Sequence, residues 1–412
     1  MNRKGISEIL LVLMAMVSSI LSVIYATIWL RHEVVFVTMM LTLLVTFFAV
    51  RTIIKEKWVI NWKNLLRQYW YFLPFIGYSF FSIFWSYHVD ITIYRWVILV
   101  CTVILGWYFG QRYGKEQFVS YILAFAVLIL IMTVFVTARD AVVEGEITSR
   151  IRGFFWQKNH TALFHTLISF LCLMTAIKHR DSRNFAYYGS IVLYLISIGL
   201  IVWADSASAV FTTLILHGLV MVLLLWLRYK PQMKNWHYLA LGGLAVLIMV
   251  VVAANLGTIF RMFGRNPNLT GRLPMWKQVY SLYFLERPWF GYGFNAFWYQ
   301  TSHRLVIGTV SHLPAIIIAD NGFYDLLISN GIVGFSLFLL LYIALWITPI
   351  RALWRAKSIF DCVPLLIMLM IFFGNLTWSM LFENESFYML VMLTMHFMLT
   401  KDKLIKKELL TG

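Results

Sequence analysis

Long apolar runs alternate with short polar connectors along this chain. Runs of roughly 17–25 apolar residues recur, the length at which an α-helix crosses a bilayer. The pattern predicts twelve spans, at about 9–29, 34–50, 69–87, 92–110, 118–137, 161–177, 186–203, 208–227, 237–256, 322–348, 361–380 and 386–400. One polar stretch interrupts it at length, from Gly257 to Asn321. That stretch holds four of the eight prolines and six basic residues: Arg261, Arg265, Arg272, Lys277, Arg287 and Arg304. Inside it Arg272, Trp276, Val279, Tyr280, Tyr283 and Phe284 follow the spacing of one helical face, with Lys277, Gln278 and Ser281 on the other. Pro274 suits the first turn, where a missing N–H costs nothing. Pro288 and Gly291-Tyr292-Gly293 end the helix. Such a helix lies flat on a membrane surface. The expected organisation is nine spans in 1–256, an extracytoplasmic loop in 257–321, and three spans with a basic tail in 322–412.

Composition agrees with an all-α polytopic membrane protein. The 412 residues are 61% hydrophobic and 13% charged, against about a quarter charged in soluble domains. The formal net charge of +16 would point to nucleic acid in a soluble chain. Here its distribution points to topology instead, and no nucleic-acid partner is expected. Of the 34 lysines and arginines, 22 fall at the N-terminus, in alternate connectors and in the tail. By the positive-inside rule that side is cytoplasmic and both termini lie there. Met1-Asn2-Arg3-Lys4 and the run after it resemble a signal peptide without a small-residue cleavage site, so an uncleaved first span is expected. Cys101, Cys172 and Cys362 all sit in apolar runs, which argues against a disulfide framework or a metal cluster.

The other twelve basic residues lie on the expected outer side, ten of them in two loops. Positive charge there runs against the insertion bias, which points to an anionic ligand; the plainer reading is that long loops cross regardless of charge. The first loop ends in Arg152-Gly153-Phe154-Phe155-Trp156-Gln157-Lys158-Asn159-His160. A guanidinium grips a phosphate in bidentate fashion, Lys158 adds a mobile charge, and a glycine lets backbone approach a ligand closely. An aromatic belt with basic anchors has the same composition. The long loop carries Thr270-Gly271-Arg272-Leu273-Pro274-Met275-Trp276 and Glu286-Arg287-Pro288-Trp289-Phe290-Gly291-Tyr292-Gly293-Phe294. It closes on Ala319-Asp320-Asn321-Gly322-Phe323-Tyr324-Asp325. Asp320, at the start of a span, is either a helix cap or a general base for a sugar hydroxyl. His303 and His312 read as ordinary solvated loop histidines. No P-loop, His-Glu-x-x-His, Gly-x-Ser-x-Gly or Asp-x-Asp occurs, which removes those nucleotide, zinc and hydrolase chemistries.

These loop motifs, with the Gly-Phe-Phe and Lys-Asn stretch before the sixth span, resemble the O-antigen ligase and Wzy-type polysaccharide polymerase superfamily. The resemblance extends to the twelve-span layout. It implies an enzyme that takes a glycan from an undecaprenyl-pyrophosphate carrier at the outer face of the bacterial cytoplasmic membrane and passes it to an acceptor sugar, with neither cofactor nor metal. Such ligases use loop arginines for the pyrophosphate and a histidine as the base. Two positions depart from the pattern: Ser206 is followed by Ala207 where Ser-Arg is usual, and Asp320 stands where the histidine is usual.

The expectation is an inverting glycosyltransferase with Arg272 and Asp320 as catalytic residues. Arg152, Lys158, Asn159, Arg95, Trp276, Gly293 and Asn321 are the expected substrate contacts. A capsule, exopolysaccharide or O-antigen polymerase fits best, with an O-antigen ligase or a lipid-linked oligosaccharide flippase as alternatives. Its expected partners are the lipid-linked donor, a glycan acceptor, the bilayer, and a flippase or chain-length regulator. A transporter would place polar groups at mid-membrane, whereas these polar clusters gather at one face.

Overall fold

The computed structural model describes residues 3–26, 31–144, 150–155, 157–232, 272–300, 302–304, 306–307, 318–381, 386–401 and 405–407. The fold is all-α. Its helices are α1 (Arg3–Ala26), α2 (Arg31–Lys55), α3 (Trp62–Tyr69), α4 (Leu73–Phe81), α5 (Val89–Arg112), α6 (Lys115–Glu144), α7 (Lys158–His179), α8 (Phe185–Trp203), α9 (Ala207–Tyr229), α10 (Arg272–Val279), α11 (Gly322–Trp354), α12 (Val363–Asn375) and α13 (Ser386–Leu399). Among the described residues seven helices are long and apolar enough to cross a membrane, and three shorter apolar helices accompany them. The expected span 237–256 lies outside the described residues. Every other expected span falls on a helix, except that 69–87 is broken. There α4 is flanked by 3-10 turns at Trp70–Phe72 and Ser82–Trp85. The Ser79 and Ser82 hydroxyls bond back to the carbonyls of Phe75 and Ser79, the local bonding by which serine competes with a regular helix.

The bundle is organised around α7. Its span is 83% buried, against at most 50% for the other long spans. It packs on α6, α8, α9 and α12. One end of the bundle is tied by charge: Arg112 at the end of α5 pairs with Glu56 at 2.7 Å and with Glu8 of α1. At that same end β1 (Trp58–Ile60) pairs antiparallel with β2 (Ile405–Lys407), Trp58 facing Lys407. The start of α1, the connector after α2 and the C-terminal strand therefore share one end. The polar segments at 150–160, 272–300 and 318–325 lie at the opposite end.

One long helix is interrupted. Gly331 in α11 has φ +64, and the segment Pro288–Tyr292 inserts beside it. Ile332 and Val333 donate to the carbonyls of Pro288 and Trp289, and Tyr292 donates to the carbonyl of Ser329. The inserted backbone thus takes up bonds that the broken helix would leave open, a requirement at membrane depth. Tyr78 Oη donates to the carbonyls of Phe290 and Asn330 at 3.0 and 2.5 Å, pinning both sides of the splice. A Cβ at Gly331 would come within 2.4 Å of the Trp289 carbonyl group, so any other residue would force the inserted backbone to shift.

Candidate functional site

Helix α10 starts at Arg272 and has Pro274 in its first turn, as its sequence dictates. Beyond Val279 it loosens into a π-turn at Tyr280–Phe284. Met275, Val279 and Tyr283 are buried in a small core with Tyr292, Phe297, Trp298, Ala319 and Ile328. Burial of each large apolar side chain is worth about 1.5–3 kcal/mol, enough to seat a two-turn helix that would not form alone. The face expected from the sequence is thus shifted by one position. Met275 joins Val279 and Tyr283 inside, and Arg272, Trp276 and Tyr280 form the neighbouring stripe. That stripe lies over the chain entering α11, so α10 is packed on protein as well as exposed on its far side.

Two contacts make this junction. Arg272 Nε donates to Asp320 Oδ2 at 2.9 Å, with the two side chains 20% and 28% exposed. Trp276 Nε1 donates to the carbonyl of Ala319 at 2.7 Å, and the Tyr324 hydroxyl donates to the carbonyl of Trp276 at 2.6 Å. Asp320 has φ +54, a left-handed conformation that aspartate tolerates better than most residues. The cap of α11 is Asn321, whose Oδ1 accepts from the amides of Phe323 and Tyr324, each at 3.1 Å. The capping role open to Asp320 therefore falls on its neighbour, and the Asp320 carboxylate is directed to Arg272. Enclosure raises the Asp320 pKa above the ordinary carboxylate value; Arg272, by charge and by hydrogen bond, and the charge of His160 pull against that rise.

The start of α7 supplies the rest of this end. Gln157 caps it. Lys158 Nζ donates to the Asp205 carbonyl at 3.0 Å, and Asn159 Oδ1 accepts from the Ser206 hydroxyl at 2.9 Å. Arg150 pairs with the Asp205 carboxylate at 2.9 Å. Arg152 is exposed, and its carbonyl accepts from the Thr161 hydroxyl. Trp156 lies outside the described residues. His160, on the next position of α7, is 6% exposed and meets the Trp378 ring edge-on at 4.3 Å. The turn bearing Trp378 also holds Asp320's segment, because Ser379 bonds to Asp325 and Gly322 packs on Asn375.

The expected site residues therefore divide. Arg272, Asp320 and Trp276 come together as one junction. Lys158 and Asn159 are joined to the α8–α9 turn, immediately before His160. Arg95 is buried at the start of α5, and its Nη2 donates to the Tyr299 hydroxyl at 2.8 Å, one residue beyond Trp298. Two glycines make their close approaches inside the protein. Gly293 (φ +99) packs on Ser86 and Gly153 (φ +56) on Thr133, where a Cβ would come within 2.4 and 2.6 Å. His303 is buried between the rings of Tyr87, Tyr283, Tyr292 and Phe297, and burial lowers its pKa. The expected solvated histidine is thus a packing residue. His312 and Gly271 lie outside the described residues.

Three residues of this end were not among the expected site residues: His160 and Asp325, which the sequence reading held only as members of motifs, and Trp378, which it did not mention. Asp325 carried the clearest signal, a carboxylate one turn inside an apolar span. Among the described residues no three His, Cys, Asp or Glu side chains converge as a metal site. The three cysteines are free and buried.

Fold and site define a polytopic α-helical membrane protein with an arginine–carboxylate pair at one end of its bundle. Residues 192–339 match the family model described as O-Antigen ligase. The match runs from α8 into α11 and takes in α9, α10, the Arg272–Asp320 pair and Asp325, while α7 and its His160 precede it. Over that segment the chain is similar to the O-antigen ligase family. No curated protein matches the chain.

Proposed function

We propose that the protein is an inverting membrane glycosyltransferase that polymerises undecaprenyl-pyrophosphate-linked oligosaccharide units at the outer face of the bacterial cytoplasmic membrane. The observation that carries this reading is the Arg272–Asp320 pair, set within the matched domain at the end of the bundle opposite the start of α1 and the β1–β2 pair. With the basic connectors inside, that end is the outer one.

The leaving group is a lipid pyrophosphate, already acidic, so it needs cationic stabilisation more than a proton. Arg272 supplies it, helped by Arg152, Lys158 and Arg95 among the basic groups of this end. The acceptor hydroxyl oxygen attacks the anomeric carbon as the bond to pyrophosphate breaks. Its proton passes to the Asp320 carboxylate, and the carrier departs with the negative charge. A single displacement inverts the anomeric centre. Trp276 and Tyr324, whose rings lie 5.8 Å apart beside the pair, offer faces for a sugar. The exposed side chains of Leu273, Tyr280 and Leu285 face the region where a polyprenyl tail lies in the bilayer.

The similarity to the O-antigen ligase family favours a second reading, transfer of the finished glycan to a lipid acceptor. One experiment separates them. The purified protein is given lipid-linked oligosaccharide extracted from a strain lacking it, with and without a lipid acceptor. A ladder of repeat units without the acceptor is the expected result. Product only with the acceptor makes the protein a ligase, and no product under either condition refutes both.

A further inference from the structure

We propose that Asp325 is a positioning residue that clamps the backbone presenting Asp320. The inference rests on the reading of Asp320 as the base.

Asp325 is fully buried, four residues after the Asn321 cap of α11. Its Oδ1 accepts from Trp298 Nε1 at 2.7 Å and from the Ala319 amide at 2.9 Å. Its Oδ2 accepts from the Ser379 hydroxyl. The three donors come from separate segments: the chain after the π-turn, the residue before Asp320, and the turn after α12. A buried carboxylate is costly unless its oxygens are satisfied, and here both are.

The consequence for Asp320 is geometric. The Ala319 amide is held by Asp325 and the Ala319 carbonyl by Trp276. Both peptide planes flanking Ala319 are therefore fixed. On the far side Asn321 caps the helix, and Gly322 lies against Asn375 so closely that a Cβ would come within 2.0 Å of its Oδ1. Asp320 is thus held from both sides in a left-handed conformation that the chain would relax if released. Conformations of this kind persist only where surrounding structure over-determines them. The direction in which the carboxylate leaves the backbone is set by Asp325, Trp276 and Asn321 together.

The three described donors to Asp325 are all neutral, so the clamp requires that shape carry the effect. An asparagine in the same pose keeps its Oδ1 for both N–H donors, and its Nδ2 donates to Ser379 once that hydroxyl rotates. Asp325→Asn is therefore the rescuing variant and Asp325→Ala the disruptive one. In transfer from extracted lipid-linked oligosaccharide, Asp325→Ala lowers kcat by about 10²-fold, the cost of misplacing a reacting group by about 1 Å, with KM little changed. Asp325→Asn restores kcat. Hydrogen exchange over residues 318–322 gives a readout independent of activity: fast in Asp325→Ala, protected in wild type and Asp325→Asn. Where Asp325→Ala does not fold, Trp298→Phe removes a single donor and shows the same direction in both readouts.

Unchanged exchange at 318–322 in the disruptive variants overturns the clamp, and so does unchanged kcat. An Asp325→Asn protein that keeps protection yet turns over as slowly as Asp325→Ala also overturns it, because the charge would then be the active ingredient. If wild type transfers no glycan, the glycosyltransferase reading fails, and the exchange result still decides the clamp.

Discussion

Replacing Asp320 by asparagine tests the core of the mechanism with little structural disturbance. Asparagine is nearly isosteric and tolerates positive φ about as well as aspartate, so the backbone at φ +54 is kept. Its Oδ1 still accepts from Arg272 Nε. The cap of α11 belongs to Asn321 and is untouched. What disappears is a proton acceptor and one partner of an ion pair whose side chains are 20% and 28% exposed. Pairs in such settings contribute about 1 kcal/mol or less to stability. Loss of a general base typically costs 10²–10⁴-fold in rate, or about 2.7–5.4 kcal/mol of activation free energy at 1.36 kcal/mol per decade. Activity and stability therefore separate: a small change in melting temperature beside a large fall in turnover.

The assay is chain extension from extracted lipid-linked oligosaccharide, normalised to monodisperse folded protein. Asn184→Ala, which removes the cap of α8 away from the site, is the control with the opposite signature, losing about 1 kcal/mol of cap with protein level moving more than kcat. If Asp320→Asn turns over at near wild-type rate, Asp320 is not the base, and the reaction as drawn is wrong.

Arg272→Lys abolishes most activity, because an ammonium cannot hold a carboxylate and a phosphate with one planar fork; wild-type rates at matched expression would remove Arg272 from the site. Arg265→Lys, outside the described residues, is expected to be mild in the same assay. Since the ionised carboxylate is the competent form and enclosure raises its pKa, the rate falls with acid at a pH above the usual carboxylate range. Removing the opposing charge in Arg272→Gln moves that limb higher still; a residual pH profile with its limb unmoved or lower contradicts the pairing. For topology, Ser302→Cys should react with an impermeant thiol reagent in intact cells and Lys357→Cys should not, both positions being exposed and the native cysteines buried. The reverse labelling inverts the assigned sides; Ser358 is avoided because it caps the turn before α12. Gly331→Ala forces a Cβ toward the Trp289 carbonyl at φ +64, costing about 1–3 kcal/mol, which thermal melting in detergent reads directly.

The spans were legible because the bilayer fixes how many apolar residues a crossing needs, and almost nothing else in the sequence competes with that signal. Helix α10 was legible from Pro274 and its periodicity, but its buried face was shifted by one position. The sequence reading placed it on a lipid surface, whereas Met275, Val279 and Tyr283 find a protein core assembled from residues up to 53 positions away. Arg272 and Asp320 were each visible as an ionisable group among aromatics and glycines. Their pairing across 48 residues was not. The ambiguity between base and cap at Asp320 came from a one-residue uncertainty in the helix boundary, which cap geometry alone resolves. His160 looked like the end of a motif, because the Trp378 ring that buries it is 218 residues on. Gly153 and Gly293 marked close approaches correctly but not their partners: a glycine shows that something comes near, and only the fold shows that it is Thr133 or Ser86.

One feature of the Arg272–Asp320 geometry bears on how a single arginine serves both halves of the proposed reaction. A guanidinium has two hydrogen-bonding edges, and the contact with Asp320 is made through Nε at 2.9 Å. The edge formed by the two Nη atoms matches a phosphate bidentately. On the proposed reading Arg272 can therefore face the departing pyrophosphate without releasing the carboxylate. Had the pair been made through the Nη edge, donor binding and base alignment would compete for the same atoms. The neighbouring arginine also explains why enclosure does not simply neutralise Asp320. Desolvation alone would favour the protonated acid, which cannot accept a proton, whereas a cation within hydrogen-bond reach favours the ionised form. As the acceptor hydroxyl gives up its proton the pair loses its charge attraction, and the positive charge of Arg272 is then opposed by the charge building on the pyrophosphate. Negative charge passes from one side of the guanidinium to the other during the reaction, and the cation need not move.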